Sequence, residues 1–164
     1  DNCVLLTRVG GDKRKLKLCV VFLFTYIGTP CMFYGDEIGL TGDGDPDCRK
    51  CMEWDHSKQD RELYDFYKLM IRLRKQHPAL RHGHFRFLQA EPGDPCIVYE
   101  RMDEKMHFTV WMNNTPKPVT LTHPMQTSDW RDALTEEAVT PTNGVMSISL
   151  DPYGFRILYR HIQK

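Results

Sequence analysis

The run from Gly28 to Asp55, GTPCMFYGDEIGLTGDGDPDCRKCMEWD, constrains this chain more than any other stretch. Apolar and aromatic residues from Cys31 to Tyr34 lead into Gly35, Asp36 and Glu37, and a Gly/Asp/Pro-rich loop continues to Trp54 and Asp55. A short, continuous apolar run reads as a central parallel strand. A buried strand that delivers polar residues to a long loop at its C-terminal end has the anatomy of the active-site face of an α/β barrel.

The flanks of this run read as helices. Gly10-Gly11-Asp12 forms a turn ending in a good N-cap, and the pattern predicts a helix over Lys13 to Tyr26, apolar nearly all round from Leu18 onward. Gly28 and Pro30 end it. After the loop, Ser57 or Asp55 is placed to cap a second helix running to about Gln76. Leu63, Phe66, Tyr67, Met70, Ile71 and Arg74 follow helical spacing, and His77-Pro78 stops the helix because the residue before proline is pushed out of the α region.

Beyond Gly83 the period changes to two. Strands are expected at His84 to Leu88, Cys96 to Arg101, Met106 to Met112, Val119 to Thr122, Trp130 to Leu134, Val145 to Leu150 and Phe155 to Arg160. Turn chemistry separates them, as at Pro92-Gly93-Asp94-Pro95 and Asn143-Gly144. Seven short strands at this spacing predict an all-β antiparallel sandwich. The expected division is therefore residues 1–82, βα units of an incomplete (β/α)8 barrel, and residues 83–164, the sandwich domain. A complete barrel needs roughly 200 residues or more, so the first part cannot close one.

Composition narrows the function classes. The 164 residues carry 22 Lys plus Arg against 22 Asp plus Glu, a balance that steers the chain towards neither nucleic acid nor anionic lipid. No apolar run is long enough to span a membrane, and the start has no signal-peptide pattern. Asp1 opens the chain without an initiator Met, which reads as a processed or cut piece. The scattered cysteines, with Cys19 and Cys31 in apolar runs, fit a reducing cytoplasm better than a disulfide framework.

The motifs resemble those of the α-amylase family of glycoside hydrolases. Gly28-Thr29-Pro30-Cys31-Met32-Phe33-Tyr34-Gly35-Asp36-Glu37-Ile38-Gly39 is similar to the family's strand-eight signature. The Asp45 to Asp55 loop, the Gln59 to Arg81 helix region and Leu5-Leu6-Thr7-Arg8 with Gly10-Gly11-Asp12-Lys13 resemble the cyclomaltodextrinase, neopullulanase and maltogenic amylase branch. The resemblance implies a C-terminal fragment of a retaining enzyme acting on α-1,4-glucans such as cyclomaltodextrin, pullulan and maltooligosaccharides. It implies that the nucleophile and the acid/base lie on barrel strands outside this chain, so the isolated chain is expected to be inactive. It places the transition-state-stabilising carboxylate on Asp1, and sugar-positioning groups on Asp45 and Arg49. Val4 departs from the arginine usual at its position.

Other constellations carry less. A retaining glycosidase needs two carboxyls about 5–5.5 Å apart, and neighbours on an extended strand point to opposite faces, so Asp36 and Glu37 cannot flank one glycosidic bond. Cys48-x-x-Cys51 lacks the second ligand pair of a structural zinc site and lies mid-loop rather than opening a helix. His82 and His84 read as surface residues. Asp43, Asp45 and Asp47 begin a calcium-loop pattern, but Cys48 and Trp54 occupy its obligatory Gly and Glu positions. Trp54, Trp111 and Trp130 read as buried aromatics before sugar platforms. No metal or cofactor is implied. The alternative is a non-catalytic module that binds glucan or a protein partner. Self-association is also expected, through the apolar surface of the Lys13 to Tyr26 helix.

Overall fold

The computed structural model describes residues 3–125, 127 and 129–162. Its first half holds four helices: α1 (Leu5–Arg8), α2 (Lys13–Thr25), α3 (Arg61–Gln76) and α4 (Pro78–His82). Asp12 caps α2, its side chain accepting from the Arg14 amide at 2.9 Å. Three cations, Lys13, Arg14 and Lys15, open α2, where the helix dipole disfavours them. Carboxylates offset two of them: Asp12 pairs with Arg14 at 2.7 Å, and Asp60, with Glu62 at 3.8 Å, pairs with Lys13.

Asp60 also caps α3, accepting from the Leu63 amide at 3.1 Å. The expected caps, Asp55 and Ser57, instead close a separate turn upstream, where the Asp55 carboxylate takes the Ser57 amide at 3.0 Å. Leu63, Tyr67, Met70 and Leu73 form the buried stripe of α3. His77 ends the helix as expected, but Pro78 then starts α4, since a proline is tolerated where the first-turn amide has no partner anyway.

The run from Cys31 to Tyr34 forms no strand. Among the described residues, the amides of Thr29, Cys31 and Met32 make no hydrogen bond, because no neighbouring segment lies alongside them. The Phe33 and Tyr34 rings lie 4.5 Å apart rather than on opposite faces, because a turn starts at Tyr34.

The second half is all β: β1 (His84–Gln89), β2 (Cys96–Met102), β3 (Met106–Asn113), β4 (Val119–Pro124), β5 (Trp130–Asp132), β6 (Ala138–Val139), β7 (Val145–Leu150) and β8 (Phe155–His161). β1, β2, β3, β8, β5 and β6 make one antiparallel sheet in that order, and β4 pairs with β7 in a second. The two sheets pack face to face. Val98, Trp111 and Leu158 from the large sheet meet Leu121, Met146, Ile148 and Leu150 from the small one. β6 was not expected, and β5 stops at Asp132, whose carboxylate turns the chain by accepting the Leu134 and Thr135 amides at 2.8 and 3.0 Å.

β2 and β3 are buried on both faces, while β5 and β7 alternate. The helices explain the difference. Tyr99, Phe108, Val110, Met112 and Ile157, on the outer face of the large sheet, join Leu16, Val20, Val21, Tyr67, Met70 and Leu80 in one continuous apolar cluster. The apolar side of α2 is therefore covered, with Leu16, Leu18, Val20, Val21 and Phe24 all buried, and is not the exposed surface the sequence suggests.

Two buried arginines close the end of α2, and Arg101 joins the halves. Arg74 donates to the carbonyls of Phe24 at 2.8 Å, Tyr26 at 3.0 Å and Gly28 at 2.5 Å. Arg101, only 1% exposed, donates to Thr25 at 2.9 Å and Gly83 at 3.1 Å. Replacing Arg101 by Met keeps its bulk but leaves those carbonyls unsatisfied, and should cost on the order of 3 kcal/mol. A urea midpoint matching the wild type would contradict that.

His107 carries a pH dependence. Its Nε2 lies 2.8 Å from Glu100, whose other oxygen accepts from Arg86 at 2.8 Å, and its ring meets Trp130 edge to face. Burial holds the imidazole below its ordinary value; Glu100 opposes this, and Arg160 and Arg86 reinforce it. The unfolded chain, with histidine near about 6.5, therefore binds the proton first. Stability is full above that value and falls as pH drops through it. Comparing urea midpoints at pH about 7.5 and about 5.5, His107→Gln should lose less on acidification than the wild type; equal losses would refute the assignment.

Candidate functional site

The loop after Tyr34 is built by two left-handed glycines. Gly35 has φ +87°, and a Cβ there would fall 2.1 Å from Leu40 Cδ1, so no other residue fits. It opens a short 3₁₀ turn, Asp36–Ile38, closed by Gly39 at φ +77°. Glu37 braces the turn by accepting the Gly35 amide at 2.9 Å. The Gly42 region is tied to α1: Val4 donates to the Gly42 carbonyl and Gly42 to Thr7 Oγ1, both at 2.9 Å. Ile38 accepts from the Asp60 amide at 3.0 Å, fixing the other side to the start of α3.

These ties enclose a cavity of about 740 Å³ whose walls include Arg8, Phe33, Tyr34, Asp36, Cys48 and Arg49. Asp36 is 7% exposed and one carboxylate oxygen, Oδ1, has no hydrogen-bond partner among the described residues. Burial pushes its carboxyl up; the Phe33 and Leu5 amides pull it partly back, while Glu37 adds to the rise. Glu37 does not face this cavity. It lines a second hollow of about 420 Å³ with Phe33, Tyr34, Tyr64, Tyr67 and Lys68. The two adjacent carboxylates thus serve different clefts.

Asp45 and Arg49 are brought together. Arg49 Nε lies 3.0 Å from Asp45 Oδ1, with both side chains about half exposed (61% and 48%). A second 3₁₀ turn, Asp47–Arg49, sets this geometry, braced by the Asp43 amide on Asp47 at 2.8 Å and by an Asp47–Lys50 pair at 3.0 Å. That amide, with Lys50, holds the Asp47 carboxyl below its usual range. Tyr34 Oη donates to the Lys50 carbonyl at 2.8 Å and pins the loop to the cavity wall. Arg49 reaches the cavity; Asp45 stands behind it as its partner. Asp1 lies outside the described residues.

Sequence reasoning did not single out Arg8 or Tyr34 as site residues. Tyr34 had a usable signal, since it is the last aromatic before the left-handed Gly35. Of the three tryptophans, Trp111 and Trp130 are buried and Trp54 is 78% exposed. Cys48 is buried and Cys51 exposed, both as free thiols, and His82 and His84 are exposed. Among the described residues, no three His, Cys, Asp or Glu side chains converge as metal ligands.

Comparison with known proteins decides the family. Residues 1–83 match the family model described as alpha amylase, catalytic domain, and residues 85–157 the one described as maltogenic amylase, C-terminal domain. The chain belongs to the α-amylase family. Its relatives place it in the branch of cyclomaltodextrinases, neopullulanases and maltogenic amylases. It is 43% identical over 161 residues to a cyclomaltodextrinase of Geobacillus thermopakistaniensis, covering 97% of this chain and 27% of that one. It is 38% identical over 162 residues to neopullulanase 2 of Thermoactinomyces vulgaris, covering 97% and 28%. A solved cyclomaltodextrinase structure superposes with a TM-score of 0.89 at 44% identity, covering 97% of this chain and 28% of that one. The chain thus spans little more than a quarter of the length of each of these three relatives.

The exposure of the Asp45–Arg49 pair has a consequence for mutagenesis. Half-exposed ion pairs contribute about 0–1 kcal/mol. Asp45→Ala should therefore unfold within about 1 kcal/mol of the wild type in urea; a larger loss would show that the pair holds the loop together.

Proposed function

We propose that this chain is the C-terminal end of a retaining glycosidase that cleaves α-1,4 links in cyclomaltodextrin, pullulan or maltooligosaccharides. The observation that carries the reading is the Asp45–Arg49 pair at 3.0 Å, with Arg49 on the wall of the 740 Å³ cavity. A carboxylate accepts hydroxyl protons and a guanidinium donates, so the pair can grip the vicinal hydroxyls of a glucose unit. Arg8, Tyr34 and Asp36 line the same space.

Retention requires a nucleophilic carboxylate and a proton-donating carboxyl on either side of the scissile bond. Asp36 and Glu37, opening on different clefts, do not supply that pair. In this reading both groups belong to the remainder of the enzyme. Asp1 steadies the positive charge that develops on the sugar, and Asp45 and Arg49 position the glucose units. Residues 1–82 are the end of the catalytic barrel and residues 83–164 the sandwich domain that backs it.

The enzyme would work in the cytoplasm, where the free thiols Cys3, Cys19, Cys31, Cys48, Cys51 and Cys96 stay reduced.

The test is a chimera in which this chain replaces the matching 27% of the Geobacillus cyclomaltodextrinase. The chimera should release reducing sugar from cyclomaltodextrin, and Arg49→Ala should lower kcat/KM roughly tenfold or more while leaving the fold intact. The chain alone should release none. Turnover by the chain alone, or a folded chimera indifferent to Arg49, would overturn the proposal.

A further inference from the structure

We infer that Asn143 is a site of spontaneous covalent modification, at which the backbone nitrogen of Gly144 converts the side-chain amide to a succinimide that opens to aspartate and isoaspartate. The site is the turn that leads into β7, and its chemistry is separate from any glycosidic one.

Asn143 and Gly144 are both left-handed, with φ +52° and +75°. Two hydrogen bonds between Thr142 and Val145, at 2.9 and 3.0 Å, close the turn around them. This is the mirror-image two-residue turn that Asn-Gly favours. Thr142 and Asn143 are exposed. The small sheet packs on the side of the large sheet away from the helices, so this exposure does not depend on what completes the barrel.

Among the described asparagines, Asn113, Asn114 and Asn143, the last alone has a free nucleophile beside it. The Gly144 amide donates no hydrogen bond among the described residues, and a Cβ placed on Gly144 would meet nothing within 4 Å. Glycine also lets the backbone rotate to bring the nitrogen to the side-chain carbon. Asn113 is fully buried, and its Nδ2 donates to the Lys117 and Asp151 carbonyls, both at 2.8 Å. The amide that follows it, on Asn114, donates to the Pro95 carbonyl at 3.2 Å. Asn114 is exposed, but the next amide belongs to the β-branched Thr115 and donates to Asn113 Oδ1 at 2.9 Å.

The steps balance without an oxidant or reductant. Hydroxide takes the Gly144 amide proton, and the nitrogen attacks Cγ of Asn143. The Cγ–Nδ2 bond breaks, and Nδ2 leaves as ammonia with a proton from water. Water then adds to one of the two ring carbonyls. Cleavage between the ring nitrogen and Cγ restores the main chain and leaves an aspartate, which tolerates the left-handed conformation. Cleavage at the main-chain carbonyl leaves the chain running through Cβ and Cγ as isoaspartate, one carbon longer. That extra carbon falls just before Gly144, whose carbonyl accepts from the Met125 amide at 2.8 Å. Met125 is buried in the sandwich core with Trp130 and Met146, so isoaspartate at the surface turn loosens the core.

The test holds the full chain in mildly alkaline buffer and follows its peptides by mass spectrometry. The peptide carrying Asn143 should gain the mass difference between an amide and a carboxyl, in two chromatographically distinct forms, one of them a substrate for a protein-isoaspartate methyltransferase. The peptide carrying Asn113 and Asn114 should not change. Asn143→Gly keeps a residue suited to the left-handed turn; it should stay unmodified and hold its urea midpoint after the treatment that lowers the wild-type value. Asn143 left intact when a free peptide of residues 139–147 has converted would overturn the site. Equal conversion at Asn113 or Asn114 would overturn selection by the free amide, and an unchanged midpoint in the converted chain would overturn the link to the core.

Discussion

The C-terminal end of α2 is the point on which the structure turns. A helix leaves its last carbonyls without intrahelical donors, and here that end is buried under the large sheet. Arg74 from α3 and Arg101 from β2 together supply donors to the carbonyls of Phe24, Thr25, Tyr26 and Gly28. Neither guanidinium has a carboxylate partner in these contacts. Their charge is met by the negative end of the helix dipole instead. Burial and mutual repulsion lower the proton affinity of Arg74, whose neighbour is Arg81, and of Arg101, whose neighbour is Arg74. Guanidinium groups remain charged under such pressure, which is why arginine rather than lysine suits both sites.

This double cap links the halves mechanically. Arg101 also grips the Gly83 carbonyl, at the entry to β1, while Arg74 reaches Gly28, at the entry to the Cys31–Tyr34 run. Tyr99, next but one to Arg101, shares a 2.5 Å hydrogen bond with the Thr25 hydroxyl. The sheet therefore fixes where the segment leading to Gly35 begins. From there the left-handed glycine, the Glu37 brace and the Tyr34–Lys50 tether carry the geometry to Arg49. The β domain is thereby coupled to the site through this chain of contacts.

Much of this was legible in the sequence, and the failures share one cause. Helices α2 and α3, the breaker at His77 and the seven main strands follow local rules of capping, periodicity and turn chemistry, while the short α1 and α4 were not expected. The Cys31–Tyr34 strand failed because a strand is a relation between segments, and its neighbours are not in the described residues. The caps of α3 were misplaced because Asp55, Ser57 and Asp60 all fit, and only the pairing of Asp60 with Lys13 across to α2 selects among them. Arg74 sat on the apolar spacing of α3 and was read as part of it; that it fills a core position by binding carbonyls 46 to 50 residues away in sequence is a tertiary fact. Double burial hid the alternation of β2 and β3 for the same reason.

The site shows the same division between local and distant information. Asp36 and Glu37 are adjacent in sequence, and their assignment to different clefts follows from the turn that Gly35 opens. Glu37 is consumed in bracing that turn. Asp36 is left buried, with one oxygen unmatched and its carboxyl pushed up, a state that burial makes costly and that persists only because the surrounding loop is tied at both ends. Neither carboxylate is free to attack or protonate a glycosidic bond. On the proposed function, the chain would contribute a shaped wall and a charged grip, and a wall of this kind acts only when the opposite wall brings the reacting acids to within a few ångströms of it.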